Sequence, residues 1–218
     1  MPQIAIVTYP GYTALDFIGP YEVLRNLAGA EVRFVWHEAG LVTADSGVLS
    51  IEATHSLKDT PAPDIIVVPG GGGTFAHLGD EVLLDWLRRA HRTAEWTTSV
   101  CSGSLILAAA GLLTGRRATS HWAALPFLAQ FGAVPVDDER VVDSGAGPNR
   151  VVSCAGVSAG IDLAMWLAGQ IAGDDRARAI QLFLEYDPQP LYDSGHISKA
   201  SEATKAGAIE LLSASPVR

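Results

Sequence analysis

A doubly wound α/β sandwich with a mostly parallel sheet, flavodoxin-like in outline, is the fold this chain predicts, and three observations carry it. Short runs rich in apolar and β-branched residues recur at 3–8, 64–68 and 96–100, as expected of strands covered on both faces. Stretches with helical spacing lie between them, so that strand and helix alternate almost throughout. No linker, internal repeat or low-complexity segment interrupts the 218 residues, a length that suits one domain.

Composition narrows the function classes. With 48% apolar and 18% charged residues, a sizeable core is available and disorder is not expected. A net charge of −9 without acidic blocks argues against nucleic acid or an anionic membrane as partner. No apolar run approaches the roughly 18 residues of a membrane span. The opening MPQIAIVTYPGY is an apolar strand without the basic segment or cleavage site of a secretory leader. Cys101 and Cys154 are too few and too far apart for a disulfide framework, and a reducing cytoplasm is the expected compartment. None of His37, His55, His77, His91, His121 and His196 stands at ligand spacing to either cysteine, so neither metal nor other cofactor is expected.

The elements follow in order. Strand 3–8 is broken by Pro10 and Gly11. Residues 14–20 then lead into a helix reaching Leu27, with Pro20 in its first turn, where proline is tolerated. Residues 31–37 form the next strand, and 42–44 with 48–53 form a hairpin across Ser46-Gly47. Strand 64–68 runs into Pro69 and four glycines. Residues 80–91 carry Val82, Leu83, Trp86, Leu87 and Ala90 at helical spacing, with Arg88, Arg89 and Arg92 suiting the dipole at its end. After strand 96–100 comes a helix at 105–113, ended near Gly111, then a short strand at 118–120. A helix at 121–131 has Pro126 in its early turns. Residues 140–143 and 150–153 pair around a turn at 143–149. Helices at 156–172 and 174–184 follow, the second capped by Asp174 or Asp175. A helical extension over about 188–218 ends the chain, with an amphipathic helix near 199–212.

The passage from strand 96–100 into the following helix is the centre of the chain. A strand that becomes a helix within about one residue forces the corner residue into a strained conformation, relieved by small neighbours. Cys101 stands at that corner, with Ser102, Gly103 and Ser104 behind it. This is the cysteine counterpart of a Gly-x-Ser-x-Gly nucleophile elbow. The following helix turns its free N–H groups toward the sulfur, which favours the reactive thiolate. The alternative is a small core cysteine.

Ligands of an open parallel sheet bind at the carboxyl ends of its strands, and two further loops there carry chemistry. Asp16 sits among Leu15, Phe17 and Ile18. It is either the cap of the next helix or a buried carboxyl with raised pKa, suited to passing protons to a nearby thiol. Residues 70–73 are either a permissive turn or backbone brought close to a developing negative charge. For that charge, the N–H of Ser102 is the natural second donor. They do not form a phosphate loop, since no Lys-Ser/Thr follows and G-x-G-x-x-G is absent. His121 is either a partner of Cys101 or a cap and core hydrogen-bonder, and Cys154 reads as buried packing.

Together, Thr98-Ser99-Val100-Cys101-Ser102-Gly103-Ser104, the run from Ala110-Gly111 to Ser120-His121-Trp122, Leu15-Asp16-Phe17-Ile18-Gly19-Pro20 and Val68-Pro69-Gly70-Gly71 resemble the ThiJ/PfpI superfamily of the class I glutamine amidotransferase-like fold. Within it the resemblance is to the isocyanide hydratases and covers residues 3–187. Ser102 departs from the threonine usual after the nucleophile, and Cys154 stands in a turn that is usually glycine-rich. Transcriptional regulators of the superfamily share the elbow but continue into a DNA-binding module. The roughly thirty residues after Pro188 are too few for one, which favours the enzyme.

The resemblance implies hydration of an isocyanide to an N-substituted formamide. Cys101 is the implied nucleophile, through a covalent thioimidate, and Asp16 the general acid and base. The Gly71 and Ser102 amides are the expected stabilising donors. An apolar substrate pocket is expected around Phe17, Gly70, Trp122 and Val157, with His121 secondary. The resemblance also implies a homodimer. A redox- or ligand-sensing protein, or an amidase- or glyoxalase-type enzyme, are the other readings that these motifs admit.

Overall fold

The computed structural model describes residues 1–145 and 149–214. From the N-terminus, β1 (Gln3–Val7) is followed by α1 (Ala14–Leu24), β2 (Glu31–Trp36) and an antiparallel hairpin of β3 (Gly40–Thr43) and β4 (Ser50–Ala53). Then come the short edge strand β5 (His55–Ser56), β6 (Ile65–Val68), α2 (Glu81–His91), β7 (Trp96–Val100) and α3 (Gly103–Ala109). The second half holds β8 (Arg117–Ala118), β9 (Val134–Pro135), β10 (Val141–Asp143), β11 (Arg150–Cys154), α4 (Ala159–Ala172), α5 (Asp174–Phe183) and α6 (Glu202–Ala214). One seven-stranded sheet runs β10-β11-β7-β6-β1-β2-β5. It is parallel except for the antiparallel pair β10–β11. This is the doubly wound architecture that the alternation predicts.

The order of the strands places the site. From β1 the chain moves outward to β2 through α1. It then returns to β6 on the other side of β1 and moves outward again to β7 through α2. Right-handed crossovers in opposite directions put α1 and α2 on opposite faces, and the crevice opens where the direction reverses, between β1 and β6. The three central strands explain why their runs are so apolar. Every residue of β6 and β7 is buried, as are Ile4 to Val7 of β1.

On one face α1 packs against α4, and α4 against α5. Gly160 of α4 permits the first contact: a Cβ there would stand 3.1 Å from Val100 Cγ1 and 3.3 Å from Pro20 Cδ. On the other face α2 meets α3.

Several local readings change. Helix α1 begins at Ala14, so Pro20 lies inside it rather than in its first turn. The Asp16 carbonyl, four residues before Pro20, therefore has no helical N–H to accept. Residues 125–131 form a 3-10 helix instead of an α-helix over 121–131; Pro126, at its start, withholds one donor from the ladder. Asp174 and Asp175 do not cap α5. Gly173 occupies the cap position without a side-chain hydrogen bond, and both aspartates pair with Arg178 from the first turn. The turn expected at 143–149 falls partly outside the described residues, as does the end of the C-terminal extension. Among the described residues no helix is long and apolar enough to cross a membrane.

Candidate active site

Cys101 stands at φ 58°, the left-handed region that a side chain rarely enters. Such a residue persists only where its surroundings over-determine it, and three hydrogen bonds do so here. Its N–H donates to the Ala155 carbonyl at 3.1 Å. Its own carbonyl accepts from Ser120 Oγ at 3.0 Å and Ser104 Oγ at 3.1 Å. The strand-to-helix corner expected from Thr98 to Ser104 is therefore present, and the neighbouring strand β11 helps to hold it.

Asp16 is fully buried. Its cap alternative fails: Thr13 occupies the cap position, and Asp16 lies in the first turn with its side chain turned across to the glycine-rich loop. There Oδ2 accepts from the Gly70 N–H at 2.9 Å, while Oδ1 is buried without a hydrogen-bond partner among the described residues. Burial raises the carboxyl to about 7, against the lowering effects of the Gly70 amide and the Cys101 side chain. The Cys101 sulfur meets the Asp16 side chain and the N–H groups of Val157 and Ser102. Burial, followed by the Asp16 charge, pushes the thiol well above its ordinary value, although both amides pull it down.

The resting group is accordingly a thiol, not the thiolate expected from the helix terminus. The seven-residue α3 supplies too little field to offset complete desolvation. Asp16 and Cys101 together hold one proton more than two anions would, at neutral pH.

Of the other expected residues, Ser102 stays at the site through its amide. Gly70 serves as the donor to Asp16 and as the floor under the elbow: a Cβ there would come within 2.5 Å of the Ser102 nitrogen and 2.9 Å of Cys101 Cβ. Gly71 does not act as the second donor. Its N–H is taken by Ser102 Oγ at 3.0 Å. That role falls to Val157, whose φ of 38° turns the amide onto the sulfur. Nothing in the sequence marks a valine for that conformation; the adjoining Gly156 is the nearest signal.

Phe17 is not a pocket wall but core, 1% exposed, with its ring 5.4 Å from Tyr12 and 4.7 Å from Phe34. His121 makes no hydrogen bond to Cys101. Its Nδ1 accepts from the Ala123 N–H at 3.3 Å, and its ring lies where a Cβ on Gly156 would be, 2.4 Å from Cδ2. Trp122 packs beside it, with the rings 5.4 Å apart. Cys154 is fully buried on β11 opposite Val100. A cavity of about 280 Å³ lined by His37, Leu57, Lys58, Pro61, Val82, Trp86 and Arg89 shares no residue with this cluster. Among the described residues no group of histidines, cysteines and carboxylates could hold a metal ion.

A buried acid from the β1 loop, a glycine-rich loop after β6 and a strained cysteine after β7 form one cluster at the switch point. The model of the DJ-1/PfpI family matches residues 2–169. The chain belongs to the DJ-1/PfpI family. Among its relatives, the isonitrile hydratase of Pseudomonas putida is 43% identical over 92% of this chain and 86% of its own length. A crystal structure of a ThiJ/PfpI family protein from Pseudomonas syringae superposes with a TM-score of 0.90 at 37% identity, covering 98% of this chain and 87% of that one. A helix-turn-helix transcriptional regulator of Pseudomonas aeruginosa is 32% identical over 77% of this chain but only 50% of its own length. The DJ-1/PfpI fold thus agrees with the sheet order and the elbow described above.

Proposed function

We propose that this DJ-1/PfpI protein is an isocyanide hydratase that uses Cys101 as nucleophile and Asp16 as proton carrier. The observation that carries the reading is the buried Asp16 carboxyl, poised near neutrality beside the Cys101 thiol. The isonitrile hydratase relative, similar over nearly the whole chain, supports it.

An isocyanide carbon bears a lone pair and an empty acceptor orbital, so it takes a nucleophile and a proton at one atom. Asp16 carboxylate removes the thiol proton as sulfur bonds to that carbon and returns the proton to the same carbon. The product is the thioimidate R–N=CH–S–Cys101. Asp16, ionised again, takes a proton from water as its oxygen adds to the carbon, and passes the proton to nitrogen. Collapse of the resulting adduct breaks the C–S bond, returns a proton to sulfur and releases R–NH–CHO. The Ser102 and Val157 amides stabilise the anionic sulfur at both ends of the cycle. One such donor is worth roughly 2.7–4 kcal/mol in comparable sites. His121 has no part in the scheme, and the scheme uses no cofactor.

We also propose a homodimer as the working form. Leu182, Leu191, Tyr192 and Leu211 are each more than 70% exposed along α5, α6 and the segment between them, an apolar surface that a second copy would cover. The test of the activity is direct: protein mixed with simple alkyl and aryl isocyanides, with formyl protons followed by NMR. Catalytic formamide release is expected. No formamide across the panel, with amide or glyoxal substrates turned over instead, would assign the site to other chemistry.

A further inference from the structure

The loops that leave β1, β6 and β7 are joined by one chain of buried hydroxyls. The Gly71 N–H donates to Ser102 Oγ at 3.0 Å, and Ser102 Oγ lies 2.8 Å from Thr74 Oγ1. Thr74 Oγ1 is 2.9 Å from Tyr9 Oη, and the Tyr9 O–H donates to the Pro69 carbonyl at 2.9 Å. Tyr9 and Thr74 are fully buried and Ser102 is 7% exposed.

The direction of every proton in this chain follows from its ends. A hydroxyl has one proton, an amide N–H only donates and a carbonyl only accepts. Tyr9 gives its proton to Pro69, so its oxygen accepts from Thr74. Thr74 in turn accepts from Ser102, whose oxygen accepts from Gly71. The Ser102 proton is thereby committed to Thr74 and is not free for Cys101 or for substrate. The hydroxyl after the nucleophile is structural, and its work is done through two residues that touch no reacting atom.

We infer that Tyr9 and Thr74 are positioning residues for Cys101, which lock Ser102 against the glycine-rich loop so that the Ser102 amide stays on the sulfur. The same loop holds Asp16 through Gly70, so one clamp sets both reacting groups. The inference rests on the reading of Cys101 as the reacting thiol, and its test uses no isocyanide.

The rate of alkylation of Cys101 by iodoacetamide is measured from pH 6 to 11, with the adduct located by peptide mass. Wild type, Thr74→Val, Thr74→Ser and Tyr9→Phe are compared, each checked for fold by circular dichroism. Thr74→Val and Tyr9→Phe should slow alkylation about tenfold throughout this range, because less of the raised thiol is ionised at each pH, the weight of a weakened charge-assisted hydrogen bond. Thr74→Ser should restore the wild-type profile. Packing alone gives the opposite order, because valine matches the shape of threonine and serine leaves a gap. Should Thr74→Val fail to fold, Tyr9→Phe removes a single oxygen and keeps the ring against His77. Wild-type profiles in folded Thr74→Val and Tyr9→Phe overturn the clamp even if isocyanides are hydrated. A slowed profile upholds it even if they are not.

Discussion

Gly70 and the start of α1 are bonded twice. The Thr13 N–H donates to the Gly70 carbonyl at 2.8 Å, and the Gly70 N–H donates to Asp16 Oδ2 at 2.9 Å. One residue of the glycine-rich loop therefore fixes both the entry of the helix and the carboxyl it carries. The second carboxyl oxygen is buried without a hydrogen-bond partner among the described residues.

That arrangement makes Asp16 a liability for stability. Its carboxyl titrates near 7 in the fold and near 3.9 in an open chain. Between those values the folded state holds a proton that the unfolded state has lost, so stability falls as pH rises from about 4 through 7. The loss approaches about 4 kcal/mol by pH 8. Asp16→Asn removes the ionisation and keeps an oxygen for Gly70. Urea denaturation should find it more stable than wild type at pH 8 and little different at pH 4, while formamide production is lost. Equal pH dependence in the two proteins would refute the burial argument.

The pH profile of turnover follows from the same pair. The active form carries a single proton shared between Asp16 and Cys101, so kcat/KM should rise with pH through an apparent value near 7. It should fall only at alkaline pH, where the raised thiol finally ionises. Both limbs belong to the pair rather than to either residue. A profile flat from pH 5 to 8 would show that Asp16 does not gate the reaction.

Gly70→Ala tests the close approach beneath the elbow. With backbone nitrogen of Ser102 only 2.5 Å from the new Cβ, nothing flexible can yield, and the loop must shift away from both Asp16 and Cys101. A loss of about 1–3 kcal/mol of stability, as for overpacking generally, should accompany near-complete loss of turnover. A variant of wild-type activity and stability would contradict the geometry.

His121→Gln should leave turnover within a few-fold of wild type, since general acid–base residues contribute roughly 10²- to 10⁴-fold and His121 is bonded elsewhere. A fall of a hundredfold in kcat, with fold intact, would restore it to the mechanism.

The sheet and the corner were legible because burial on two faces leaves an unmistakable run of apolar and β-branched residues, and because small residues cluster behind a strained Cys101. Asp16 was legible from its apolar neighbours, which are a poor setting for a mere cap. Which amide reaches the sulfur was not legible. Gly70 and Gly71 are identical in sequence, yet one faces Asp16 and the other Ser102. Val157 donates through a conformation that valine does not favour, imposed by the turn into α4. The place of Pro20 inside α1 was not legible for a related reason. The Thr13 N–H at the head of the helix bonds to Gly70 on the loop after the neighbouring strand β6, a contact outside any local window. The ionisation of Cys101 depends on depth of burial, which no local pattern reports.

The account turns on a bond between the Cys101 sulfur and the isocyanide carbon. Intact mass of the wild-type protein, mixed with excess isocyanide and acid-quenched within the first turnover, tests it most directly, because Asp16 is needed both to form the thioimidate and to resolve it. A mass increase equal to one isocyanide, located on Cys101 and absent when Cys101→Ala is added, is the expected result. An unmodified Cys101, together with formamide still released by the Cys101→Ala protein, would contradict it.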